Sequence, residues 1–239
     1  MDEKNSYVAV DLETTGLDPK RDKIIEIGAV KVLDGRITDQ FQTLVNPRRA
    51  QGSLTIELTG ITDGMLETAP AIEQVIGPFA EFCGGKELPL LGHHIIFDFS
   101  FLKKAAVNCG LEFEKNGIDT LKLCRRFMPE EEKKNLETAC AFYKIQRGQA
   151  HRALADAIDA HNLYQALLIQ GGEKNTGEFT EKPLIYKVKK EQLASKRQKE
   201  HLRDLLKYHR IDLPVQIDYM SRNEISRITD KIISQYGRI

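Results

Sequence analysis

Along the chain, apolar positions switch between a two-residue and a 3.6-residue period, and the switches mark the elements. Residues 7–12 (YVAVDL) are a short apolar run with β-branched side chains, which predicts a buried strand. Residues 24–33 (IIEIGAVKVL) predict a second. Asp34-Gly35 follows, a dipeptide that accepts positive φ at both positions, so residues 36–46 return as a third, antiparallel strand. From Pro70 onward the period becomes helical, with Ile72, Val75, Ile76, Phe79 and Phe82 on one face and Gly84-Gly85 as the stop. Residues 88–91 form a short buried strand. Helices are expected at 98–109, 121–128, 136–143 and 153–169, the last closed by Gly171-Gly172. Strands followed by alternating helix and strand give an α/β chain built on a mixed sheet.

The pattern fades between residues 173 and 181, which are rich in Gly, Glu, Lys, Asn and Thr and read as a linker. Beyond it, Leu193, Leu202, Leu205 and Leu206 keep helical spacing across 189–209. Pro214 breaks that pattern, and Ser221-x-x-Glu224 is a capping box ahead of Ile225, Ile228, Ile232 and Ile233. The chain thus divides into a larger unit (1–172), a linker (173–181) and a small helical module (182–239).

Composition adds limits. The chain has 239 residues, 41% hydrophobic and 29% charged, which excludes disorder. Its formal net charge is zero, but the two units differ. Residues 1–172 hold 20 Lys and Arg against 25 acids, and residues 173–239 hold 15 against 10. Cys83, Cys109, Cys124 and Cys140 lack the spacing of a zinc or redox motif and read as reduced thiols. The opening MDEKNS is not a secretory leader, and no apolar run reaches the roughly 18–20 residues of a membrane span, so a cytoplasmic protein is expected.

Certain positions can do chemistry. Asp11 and Glu13, two residues apart, share one face at the end of the first strand. Adjacent half-buried carboxylates repel each other, and a divalent cation removes the conflict; a solvated strand end is the competing reading for Glu13. Asp98 opens a helix within GHHIIFDFSFL, where an acid serves as a cap or a ligand. His151 and Asp156, five residues apart, would lie about 140° apart on one helix. That spacing places His151 in a loop and Asp156 in the first turns, as a mobile base beside an anchored acid or as an ordinary surface pair.

Taken together, DLETTG at 11–16, GHHIIFDFSFL at 92–102 and HRALADA at 151–157 resemble the three motifs of the DEDD exonucleases, histidine subtype, the DnaQ-like group. IIEIGAV at 24–30, LTGITDGML at 58–66 and DTLKLCRRFMP at 119–129 extend the resemblance, the second of them towards the PolC-type branch. The resemblance implies a ribonuclease H-like fold with a mixed five-stranded sheet flanked by helices. It implies that Asp11, Glu13, Asp98 and Asp156 hold two divalent cations, Mg²⁺ or Mn²⁺, and that His151 is the general base. It implies substrate contacts from Thr14, Thr15, Gly16, Leu17, Thr59 and Ile61. His94 stands where the family usually has Asn, near the substrate backbone. The implied activity is removal of nucleoside 5′-monophosphates from 3′ ends of DNA, with an exoribonuclease or a non-catalytic polymerase accessory as alternatives. The implied partners are DNA, RNA as the alternative, and a polymerase in trans.

Between residues 187 and 199 the tail carries Lys187, Lys189, Lys190, Lys196, Arg197 and Lys199 against one acid, Glu191. Such a run can track phosphates or simply be a solvated face.

Overall fold

Alternation along the first strand organises the molecule. β1 (Tyr7–Thr14) turns Val8, Val10 and Leu12 to one side and Tyr7, Ala9, Asp11 and Glu13 to the other. It pairs antiparallel with β2 (Ile24–Leu33), setting Asp11 opposite Gly28 and Glu13 opposite Glu26. β2 pairs in turn with β3 (Arg36–Leu44) across the Asp34-Gly35 turn, where both residues take positive φ. On its other edge β1 runs parallel to β4 (Leu90–Gly92), and β4 runs parallel to β5 (Asn116–Asp119). The computed structural model describes residues 5–85, 87–171, 175 and 177–239. Residues 1–4 and 172–174, which include the first part of the opening segment, Gly172 and the start of the expected linker, lie outside the described residues, as does residue 176.

Among the described residues the sheet has six strands in the order β3-β2-β1-β4-β5-β6, one more than expected. The addition is β6 (Lys182–Pro183), which pairs antiparallel with Asn116 and Gly117. Two residues with a proline give no periodic signal, and only the open edge of β5 selects them. The segment read as a linker also supplies Phe179, which is buried and stacks on Phe127 at 5.4 Å between ring centres.

Helices cover both faces. α1 (Ser53–Thr59) and α2 (Asp63–Glu67) are short and follow β3. α3 (Ile72–Phe82) and α4 (Ile96–Asn108) pack on the Val8, Val10 and Leu12 side through Phe79, Phe99 and Leu102. α5 (Thr120–Phe127), α6 (Leu136–Phe142) and α7 (Ala153–Gly171) cover the Tyr7 and Ala9 side through Leu123, Cys140 and Leu163. The C-terminal module joins α8 (Lys196–His209) to α9 (Arg222–Tyr236) around Leu202, Leu205, Ile225 and Ile232. Both helices start with capping boxes, Ser195 with Gln198 and Ser221 with Glu224. Helix was expected from 189, but α8 begins only at Lys196. Leu193 lies exposed in a bridge to Ser221, because Ser195 caps the helix after it. Among the described residues no helix is long and apolar enough to cross a membrane. The four cysteines are free thiols, and burial pushes Cys83, Cys124 and Cys140 up to about 12.

One close approach fixes where α7 lies. A Cβ on Gly28 would meet the backbone of Ala153 and Leu154 at 2.0–2.5 Å, so the start of α7 rests directly on β2. Backbone cannot rotate away as a side chain can. Gly28→Ala is therefore expected to destabilise the fold by about 3 kcal/mol or more, as measured by denaturant unfolding. A loss under about 1 kcal/mol would show that α7 can lift without consequence.

Candidate active site

Three elements meet at the carboxyl end of β1. The strand supplies Asp11 and Glu13 on the face covered by α7. The first turn of α4 supplies Asp98, which is buried and accepts the Leu12 N–H on Oδ1 at 3.1 Å. That bond ties the carboxylate to the strand between the two acids. The first turn of α7 supplies Asp156, whose Oδ2 accepts the His151 N–H at 2.9 Å. His151 itself is exposed in the turn ahead of α7, with φ of 58°. One ligand atom each from Glu13, His151 and Asp156 lies within 4.8 Å of the others.

A second tier of charges holds this end together. Glu26, wholly buried opposite Glu13, accepts from Arg152 Nη2 at 2.9 Å, Ala153 N–H at 3.1 Å and Gln42 Nε2 at 3.0 Å. It therefore anchors the residues that directly follow His151. Arg147 bridges Asp156 and Asp159, with Nε 2.8 Å from Asp159 Oδ2. Sequence reasoning missed Glu26, Arg147, Arg152 and Asp159. The signal available was Glu26 itself, a charged residue inside an apolar strand, which asks for partners when buried.

Electrostatics follow from the crowding. Burial, then Asp98, Glu13, Asp156 and Glu26, hold the Asp11 carboxyl well above the usual carboxylate range. Burial, then Asp156 and Glu26, push Glu13 up to about 8 against the pull of Arg152. Burial also raises Asp98, although its own amide and that of Leu12 oppose it. Asp156 is raised by burial, with Arg147 and the His151 amide opposing. Carboxyls that resist ionising, beside an exposed imidazole, suit a hard divalent cation, and among the described residues the ligand atoms that lie within reach of one another are those of Glu13, His151 and Asp156.

The expected substrate residues separate into two groups. Thr14 ends β1, and Thr15, Gly16 and Leu17 follow it in a tight loop, with Thr14 Oγ1 donating to Gly16 O at 2.7 Å. A Cβ on Gly16 would lie 2.5–2.9 Å from the Asp22 carboxylate, so glycine lets the loop close. Leu17 is 84% exposed and open to a ligand. His94 is exposed, with φ of 75°, and its N–H donates to Asp119 Oδ1 at 3.0 Å. This left-handed backbone is one that Asn, Asp and His favour over other residues, which accounts for His in an Asn position. Thr59 and Ile61 differ. Thr59 is buried and closes α1, donating to Thr55 O at 2.9 Å and accepting the Ile61 N–H at 3.1 Å. Ile61, where a base contact was expected, has no exposed surface and packs on Ile25 and Leu66, while α1 exposes Leu54 and Leu58. His93 is hydrogen-bonded to Thr120 and Lys134, and Phe97 and Phe101 pack into the core.

Comparison with known proteins places this geometry. The family model described as Exonuclease, RNase_T, matches residues 8–164. The PolC-type DNA polymerase III of Bacillus subtilis is 42% identical over 175 residues, 72% of this chain and 12% of that protein. The Staphylococcus haemolyticus enzyme of the same name is 34% identical over 234 residues, 98% of this chain and 15% of that protein. The chain spans only that small part of these relatives' length. Exonuclease X in complex with 5′ overhanging duplex DNA superposes with a TM-score of 0.57 and 27% identity, covering 73% of this chain and 99% of that one. Escherichia coli Exonuclease I in complex with a dT13 oligonucleotide shares the fold, with a TM-score of 0.62 and 15% identity, over 73% of this chain and 43% of that one.

The raised carboxyls make a stability prediction. With Glu13 raised from 4.5 to about 8, the folded chain binds more protons than the unfolded chain across that window. Its contribution therefore worsens as pH rises from about 4.5 to 8 when no cation is present. Glu13→Gln should raise the cation-free melting temperature at pH 8 by about 4–8 °C, or roughly 2 kcal/mol, with little change at pH 4.5. Mg²⁺ or Mn²⁺ should stabilise the unaltered chain more at pH 8 than at pH 5. Equal effects at both pH values would mean that the carboxyls do not repel as the geometry indicates.

Proposed function

The chain belongs to the RNase T exonuclease family, the DnaQ-like group, and from that premise we propose that it removes nucleoside 5′-monophosphates from the 3′ ends of DNA. The observation that carries this reading is the meeting of Asp11, Glu13, Asp98, Asp156 and His151 at one end of the sheet. Asp11, Glu13, Asp98 and Asp156 would hold two divalent cations, Mg²⁺ or Mn²⁺. When bound, the cations supply positive charge opposite the scissile phosphate and lower the pKa of water.

The protein's own groups do the rest. A ring nitrogen of His151 takes a proton from the attacking water, and the water oxygen bonds to phosphorus. The bond from phosphorus to the 3′ oxygen of the preceding nucleotide breaks, and that oxygen gains a proton from solvent. His151 is suited to this by its exposure, while its amide stays tied to Asp156. Glu26 holds the turn in place through Arg152 and Ala153. The loop Thr14–Leu17 receives the terminal nucleotide, with Leu17 against its base. His94 lies near the substrate backbone. DNA is favoured over RNA because the relatives are named DNA polymerases and Exonuclease X is complexed with DNA.

Matched DNA and RNA oligonucleotides, labelled at either end and digested with Mg²⁺, test the reading. Loss of the 3′ label as mononucleotide ahead of any change at the 5′ end is expected, faster on DNA. Asp11→Asn and His151→Ala should each lower kcat by at least about 100-fold. Faster digestion of RNA would reassign the substrate, and full activity in Asp11→Asn would remove the cation assignment.

A further inference from the structure

The loop that follows β1 is closed on itself but held from outside. Its base is tied by Thr15 N–H to Lys23 O at 2.9 Å and Lys23 N–H to Thr15 Oγ1 at 3.0 Å. Inside it, Asp22 occupies the space that Gly16 leaves open. Arg49 lies across the loop from the segment between β3 and α1. It donates to Thr15 Oγ1, to Asp22 Oδ1 at 3.0 Å and to Arg21 O at 2.9 Å.

Apart from Thr55 Oγ1 of α1, which donates to Thr15 O at 3.5 Å, the outside supports lead to the C-terminal segment. Arg49 pairs with Val215 in an antiparallel bridge, flanked by Ala50 N–H to Pro214 O and Gln216 N–H to Arg48 O, each at 3.0 Å. The Arg48 guanidinium stacks 3.8 Å from the centre of the Tyr219 ring. Lys23 Nζ lies 2.8 Å from Glu224 Oε1 at the start of α9. Burial works against the Glu224 charge, but Lys23 and Ser221 overcome it and bring the carboxyl down to about 2. Lys104 of α4 donates to Lys20 O at 3.1 Å while pairing with Glu191 at 3.2 Å. These ties rim a cavity of about 1180 Å³ lined by Lys23, Arg49, Lys104, Tyr219 and Glu224. The loop is therefore positioned by discrete polar links around a cavity and not by a solid core.

We propose that the C-terminal module is a brace for the nucleotide-binding loop, with Arg49 and Lys23 as positioning residues that transmit its hold to Thr15–Leu17. This rests on the reading that the loop receives the terminal nucleotide. A brace and an electrostatic grip make opposite predictions for one substitution. Glu224→Gln keeps the capping box, since glutamine serves at that position, but removes the ion pair and frees Lys23. A basic grip on a polyanion then strengthens, whereas a brace loosens.

The experiment measures KM and kcat of Glu224→Gln on a short 3′-labelled DNA at low and moderate salt, together with amide hydrogen exchange over residues 15–23. KM is expected to rise by about fivefold to tenfold at both salts, with kcat within about twofold and faster loop exchange. Tyr219→Ala, which removes no charge, should act in the same direction and stands in if the first variant unfolds. A lower KM, or unchanged KM and exchange, overturns the brace. If the unaltered chain cleaves no nucleic acid, the nuclease reading fails, and exchange alone decides the brace: faster exchange supports it and unchanged exchange overturns it.

Discussion

Mutual repulsion among Asp11, Glu13, Glu26, Asp98 and Asp156 is the constraint that the rest of the structure answers. Each is held by a different device. Asp98 takes a strand amide, Asp156 a turn amide and Arg147, and Glu26 the Arg152 guanidinium with a helix-start amide. Among the described residues neither Asp11 nor Glu13 forms an ion pair, and neighbouring acids push both carboxyls up, with Arg152 opposing at Glu13. A fold selected for stability alone would replace such groups with apolar ones of similar volume. Their retention concentrates an unmet need for positive charge at one place, which is what a cation-dependent hydrolase requires.

The devices that hold these acids also aim His151. Gly28 lets the start of α7 lie against β2, which brings Ala153 within reach of Glu26. That contact fixes the two residues after His151, and the Asp156 carboxylate fixes its amide. The imidazole is left free at an exposed turn. A held backbone and a ring open to water are thus combined in one residue, which suits the proton transfer proposed for it.

Legibility in the sequence followed the range of the interaction. The Asp34-Gly35 hairpin and the Ser221 capping box were readable because a few adjacent residues determine them. Asp11 and Glu13 stood out because strand alternation alone puts them on one face. β6 was not readable, since two residues become a strand only beside the open edge of β5. Ile61 was placed at the substrate because its neighbours fitted a motif, yet burial under Ile25 and Leu66 is a tertiary fact. Glu26 was hidden for the same reason, as its partners lie on β3 and more than 120 residues later.

The zero net charge acquires a physical meaning from the seam between the two units. The nuclease unit has an excess of acids and the C-terminal module an excess of bases, so simple attraction would pair nuclease acids with module bases. Lys23 with Glu224 and Lys104 with Glu191 do the reverse, joining nuclease cations to module anions. At these two links each unit commits a minority charge to the seam. Much of the majority charge lies elsewhere: acids gathered at the end of β1, and Lys187, Lys189, Lys190 and Arg197 exposed on the module. A neutral chain can in this way keep a cluster of acids and a basic surface without either cancelling the other, because at about 8–10 Å of screening only near neighbours neutralise one another.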